Sequence, residues 1–130
     1  LHRLIRRQRQ MCIETGIYES LALKYRYAIE QLSAVTGRAF TTLHVLGGGT
    51  KDRLLCQMTA DCCGLTVKAG PVEATALGNI MIQLKALGLL DSITQGRRLV
   101  AETEVIKTYT PSTQNYAEWN AAYDRFKPLL

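Results

Sequence analysis

Three consecutive glycines, Gly47, Gly48 and Gly49, followed by Thr50, are the residues of this 130-residue chain whose type and spacing could do chemistry. They stand between the apolar run Leu43-His44-Val45-Leu46 and a helical pattern that starts a few residues later. A turn without Cβ atoms lets a ligand touch backbone. The helix N-terminus behind it offers unpaired N–H groups and a partial positive charge, so a phosphate or the sugar end of a nucleotide suits such a turn. Thr50 is placed to cap that helix. The plain alternative is a tight strand-to-helix connection. The pattern has neither the spacing of a dinucleotide fingerprint nor the Gly-Lys-Ser/Thr ending of a P-loop, so the glycines alone do not decide.

Other chemistry is poorly supplied. Cys12, Cys56, Cys62 and Cys63 sit inside helical or apolar patterns with no Cys-x-x-Cys pair, and only His2 and His44 could join them. That pattern suits buried thiols in a reducing compartment, and no metal ligand is assigned. The adjacent Cys62 and Cys63 point to different helix faces and receive no redox role. The net charge of +5 is concentrated in Arg3, Arg6, Arg7 and Arg9. Such a cluster could hold an acidic partner, but it also suits a solvated helix end, and no interleaved aromatic and basic positions mark a nucleic-acid surface. No apolar run reaches the roughly 18 to 20 residues that cross a bilayer, so neither membrane nor nucleic acid is an expected partner and the expected location is cytoplasmic. The 47% apolar composition excludes a disordered chain and fits at most one domain.

The elements that must position the glycines follow from periodicity. Ile13, Ile17, Leu21, Tyr25, Ala28, Leu32 and Val35 recur at steps of three or four and predict one long helix from about 10 to 35, ended by Gly37. A strand precedes the glycines. Leu54, Leu55, Met58 and Cys62 predict a second helix closed by Gly64, and a short strand spans 65 to 68. Pro71 sets the entry to a third helix over 72 to 87, with Glu73 favouring its start. Ala74 and Gly78, four apart, suggest close packing against the glycine turn. A short helix is predicted over 95 to 104, a turn at Thr110-Pro111, and a last helix capped by Ser112. Tyr116, Trp119, Tyr123 and Phe126 would form the docking face of that helix. The order implies an α/β layer with a parallel strand pair, too few strands for a complete doubly wound sheet.

Three separated stretches resemble one family together: Glu19-Ser20-Leu21-Ala22-Leu23-Lys24-Tyr25-Arg26, then Leu43 to Thr50, then Ala69-Gly70-Pro71-Val72-Glu73-Ala74-Thr75-Ala76-Leu77-Gly78-Asn79. They resemble the C-terminal half of FGGY carbohydrate kinases, most closely the branch acting on L-rhamnulose. Leu55, Gln57, Ala60, Asp61, Gly64, Val67 and the closing aromatic helix also fit, so the resemblance covers the chain from about Cys12 onward. It implies part of an actin-like, ribonuclease H-like ATPase domain, with residues 1–130 as a partial C-terminal, nucleotide-side domain. It implies ATP and Mg2+ as cofactors, and transfer of the γ-phosphate to L-rhamnulose to give L-rhamnulose 1-phosphate. Gly47, Gly48 and Gly49 are carried over as ATP contacts, with Thr50 the weaker candidate. Asp52 stands where the family commonly has asparagine, and a carboxylate that only accepts cannot donate to adenine. The family's catalytic aspartate and sugar pocket belong to sequence before Leu1, so no catalytic residue is assigned and the fragment alone is expected to be inactive.

Two other readings stay open. One is an FGGY kinase for another sugar, such as xylulose, fuculose or glycerol. The other is a non-enzymatic interaction module built on the basic first helix and the aromatic last one. An exposed apolar face is expected on the fragment, and with it a possible homodimer.

Overall fold

The first helix is longer than anything that packs on it, and this sets the architecture. The structure is a computed structural model that describes the backbone of residues 2–129 and the side chains of residues 12–129. The side chains of Arg3, Arg6, Arg7 and Arg9 therefore lie outside the described residues. Helix α1 (His2–Thr36) has 35 residues, about 52 Å at 1.5 Å per residue. It stops at Gly37, whose φ of +65° is the left-handed cap and whose N–H donates to Ser33 O at 2.9 Å.

Strand β1 (Thr42–Val45) leads into a 3-10 turn (Gly47–Lys51), helix α2 (Arg53–Cys63) and strand β2 (Thr66–Ala69). The two strands are parallel, with Thr42 opposite Thr66 and Val45 opposite Ala69, so α2 is the crossover of a βαβ unit. Helices α3 (Ala74–Ala86) and α4 (Ile93–Thr103) follow and pack on each other. Strand β3 (Lys107–Tyr109) then pairs antiparallel with β2, Tyr109 lying opposite Val67. The sheet order is β1-β2-β3. The parallel pair follows the predicted order, whereas β3 is an addition to it, since three residues are too short for an alternating pattern to register.

Helix α2 is buried on two sides. Cys56 and Ala60 face Val67 and Ala69 of the sheet, with Leu43, Val45 and Tyr109 packed around them. Cys62 faces Ala22 and Leu23 of α1 and Tyr123 of α5 (Tyr116–Phe126), with Met58, Trp119 and Phe126 adjoining. The buried residues of α2 are small, and small side chains let the helix approach the sheet and α1 together. Leu54, expected in the buried stripe, is 51% exposed.

Two further expectations, on Ser112 and Gly78, are corrected. The α1 stripe is largely uncovered: among the described residues Ile13, Ile17, Leu32 and Val35 are exposed, while Ala22 and Leu23 are buried. The 11-residue helices α2 and α5 each span about 16 Å and reach only the middle of α1. Ser112 does not cap α5. Its N–H donates to Asp61 Oδ1 at 2.7 Å, and Asn115 holds the cap position without a side-chain bond. Gly78 has no neighbour within 4 Å of where a Cβ would stand, so it does not seat the glycine turn. The close approach on α3 is made instead by Gly96 of α4, where a Cβ would lie 2.7 Å from Met81 Sδ.

Gly70 ties the connection after β2 to that before β3. Its φ is +135°, and a Cβ there would stand 2.8 Å from Val105 O and 3.3 Å from Ile106 Cα. Gly70→Ala is expected to cost about 2–4 kcal/mol in urea unfolding, from a conformation L residues avoid plus a backbone clash. A loss below about 1 kcal/mol would show that the 105–106 segment gives way freely.

Candidate functional site

Gly47, Gly48, Gly49 and Thr50 form a 3-10 turn, not a bare loop, between β1 and α2. Gly47 N–H donates to Pro71 O at 3.2 Å and Gly70 N–H to Val45 O at 2.9 Å, which sews the turn to the connection after β2. Gly47 alone of the three uses a left-handed backbone, with φ +78°. Its glycine is explained by the fold.

Gly48 and Gly49 are different. Both have φ outside the left-handed region. A Cβ on Gly48 would meet nothing within 4 Å, and one on Gly49 would meet only Val45 Cγ1 at an ordinary 3.9 Å. Neither backbone conformation nor packing inside the chain calls for glycine at these exposed positions. Among the described residues no acceptor outside the turn reaches the Gly48 N–H. The surface is thus bare backbone with a donor at the start of a helical turn, an arrangement that suits an anionic oxygen.

Thr50 sits behind this surface. It is 5% exposed, and its hydroxyl donates to Gly47 O at 2.7 Å. It closes the turn on itself and does not cap α2. That cap is Asp52: its Oδ1 accepts from Leu55 N–H at 3.0 Å, and its own N–H donates to Gly49 O at 3.3 Å. The Leu55 N–H, then the Tyr18 hydroxyl, hold the Asp52 carboxyl below its ordinary value, and the same carboxylate pushes the Tyr18 phenol up. Cys56, one turn into α2, donates its thiol to Gly49 O at 3.8 Å, and burial pushes that thiol up. Asp52 was legible as a cap, since an Asp directly before a helical pattern is a cap signal. Its place after the glycines drew attention to ligand contact instead.

Two cavities flank the turn. One of 440 Å³ lies between α1, β1 and α2, with apolar walls that include Leu32, Leu43, Gly49 and Cys56. The other, of 560 Å³, lies between Leu46, Pro71 and the α3–α4 pair, with Arg97 at its wall. Glu73 stands exposed at the start of α3 and makes no side-chain cap bond. Among the described residues no group of three or more His, Cys, Asp or Glu side chains could hold a metal ion, and no helix is long and apolar enough to cross a membrane.

Comparison with known proteins gives a consistent set of relatives. The profile of the FGGY family of carbohydrate kinases, C-terminal domain, matches residues 12–87. The chain is 48% identical over 111 residues to a rhamnulokinase of Bacteroides thetaiotaomicron, a match covering 85% of this chain and 22% of that protein. It is 43% identical over 110 residues to a rhamnulokinase of an Enterobacter species, covering 84% of this chain and 22% of that protein. A rhamnulokinase of Klebsiella pneumoniae is 44% identical over 96 residues, or 74% of this chain and 20% of that protein. The chain spans about a fifth of the length of these curated relatives.

Proposed function

The chain belongs to the FGGY family of carbohydrate kinases, and from that premise we propose that it is the ATP-side part of an enzyme that phosphorylates L-rhamnulose to L-rhamnulose 1-phosphate. The observation that carries the sugar is the 43 to 48% identity to rhamnulokinases along most of the chain. The bare backbone at Gly48 and Gly49 supports the nucleotide side. Phosphoryl transfer rests on positioning and on neutralising charge, with little covalent work for the protein.

In this reading Gly48 and Gly49 let the nucleotide lie against main chain, the Gly48 N–H donates to it, and Thr50 keeps the turn closed from behind. Gly47 fixes the turn's entry. Magnesium, when bound with ATP, neutralises phosphate charge, and its protein ligands are not assigned to this chain. The general base and sugar pocket are likewise assigned to other parts of the parent enzyme, which we place in the cytoplasm.

The test is a sugar panel with the full-length protein that carries this chain, following ADP release with L-rhamnulose, xylulose, fuculose and glycerol. Turnover should be highest on L-rhamnulose. Preference for another sugar would move the protein to another FGGY branch, and absence of any ATP-dependent turnover would overturn the kinase reading. The isolated 130-residue chain should release no ADP on L-rhamnulose.

The exposed face of α1 bears on partners. Ile17 and Leu32 are 53% and 55% exposed and Val35 is 85% exposed, a stripe that favours burial against a partner surface. The isolated chain is expected to pair with itself through this face, giving a dimer mass by light scattering that Leu32→Glu returns to monomer. A monomer at every concentration tested would argue against that pairing.

A further inference from the structure

Asp52 makes its contacts at the point where the glycine turn becomes a helix. Its N–H and the Cys56 thiol both donate to the Gly49 carbonyl, at 3.3 and 3.8 Å. Its carboxylate accepts from the Leu55 N–H of α2 at 3.0 Å. Its carbonyl accepts from Cys56 N–H at 3.1 Å. The exit of the turn is thus anchored to the first turn of α2 through one residue. We propose that Asp52 is a positioning residue that fixes the exit of the glycine turn and with it the direction of the Gly48 N–H, without touching the nucleotide itself. The functional half of this inference rests on the reading that the turn approaches ATP.

The geometry separates Asp52 from a direct contact. Its side chain is committed to the cap of α2, and that commitment survives an amide, whose oxygen still accepts. Alanine removes it. In the full-length kinase, Asp52→Asn should keep KM for ATP within about twofold of the parent, since asparagine caps as well as aspartate. Asp52→Ala should raise KM for ATP about tenfold with kcat within about threefold, a loss of binding geometry and not of chemistry.

Hydrogen exchange at the amide of residue 52, which donates to Gly49 O at the exit of the turn, measured without nucleotide, provides the independent readout. It should quicken in Asp52→Ala and stay near the parent in Asp52→Asn. Should Asp52→Ala fail to fold, Asp52→Gly, which removes the acceptor at little cost to the helix start, carries the test. Asp52→Asn losing as much ATP affinity as Asp52→Ala would overturn the proposal in favour of a direct carboxylate contact. Unchanged exchange and unchanged KM in Asp52→Ala would overturn it outright. Quickened exchange with unchanged KM would uphold the positioning and overturn the nucleotide reading of the turn.

Discussion

Replacing Gly48 with valine in the full-length kinase is expected to weaken ATP binding on the order of 100-fold while leaving the urea unfolding midpoint close to that of the parent. The two halves of that expectation come from different observations. Stability is spared because a Cβ at Gly48 meets nothing within 4 Å and the backbone there is not left-handed. On the proposed reading, binding is lost because the isopropyl group would occupy the space over the turn where the nucleotide lies. The Gly48 N–H would lose its charge-assisted bond, roughly 1.5–3 kcal/mol, and 1.4 kcal/mol is tenfold in affinity. Isothermal titration with ATP and a urea melt on the same preparation check both halves. Gly47→Val is the contrasting control: its φ of +78° makes the fold itself pay, so stability and binding should fall together. If Gly48→Val binds ATP as the parent does, the glycines are a tight connection and nothing more.

The same comparison shows what could be read from sequence. The glycine turn, the helix behind it, the parallel pair β1 and β2, and the caps at Gly37 and Gly64 all come from local signals, and local signals survive folding: both glycines take φ of +65° as left-handed caps. The aromatic face of α5 was also legible, since Trp119, Tyr123 and Phe126 pack as their spacing implies, although Tyr116 remains 49% exposed. What failed was non-local. How much of the α1 stripe is covered was not legible, because periodicity reports which side of a helix is apolar and says nothing of how far its partners extend. Thr50 and Asp52 are both good caps, and choosing between them required knowing that the glycines coil into a 3-10 turn that carries the helix start two residues onward.

No sequence signal marked the group that joins α1, α2 and α5, because hydrogen-bonded partners within it lie up to 94 residues apart. Arg26 donates from Nη1 to Asn120 Oδ1 at 2.9 Å and to Cys62 O at 3.3 Å, and from Nε to Glu30 Oε1 at 3.2 Å. Its guanidinium lies 4.3 Å from the centre of the Tyr123 ring, and the Tyr123 hydroxyl donates to Glu30 Oε2 at 2.6 Å. Lys127 Nζ approaches the same carboxylate at 3.7 Å. Arg26→Ala strips three helices of their common partner. Breaking a buried pair costs about 3–5 kcal/mol, and the exposure of Glu30 lowers the expected loss here to about 2–3 kcal/mol. Arg26→Lys keeps a charge over the ring but cannot reach the carbonyl, amide and carboxylate at once, so about half of that loss should remain. Tyr123→Phe, losing one hydroxyl donor, should cost about 1 kcal/mol.

The pH dependence has a definite sign. Burial raises the Glu30 pKa, but the Tyr123 hydroxyl, Arg26 and Lys127 together outweigh it and hold the carboxyl below its ordinary 4.5. A depressed carboxyl contributes stability above its unfolded value and loses it as pH falls through the folded one. Burial and the Glu30 carboxylate push the Tyr123 phenol above its ordinary 10.0, so its contribution is complete below that value and fades as pH rises past it. Stability should therefore be level between these limits and fall on both sides. Arg26→Ala should lower the plateau and soften the acid limb, because a principal partner of the Glu30 carboxylate is gone. Urea midpoints near pH 3.5, 7 and 10.5, roughly one pH unit or less outside the ordinary values and midway between, resolve this. An acid limb of unchanged slope in Arg26→Ala would mean that Glu30 is held by Tyr123 and Lys127 alone. Because α2 begins at the glycine turn and is clamped at its far end by this network, the same variant should also weaken ATP binding, and by less than Gly48→Val does.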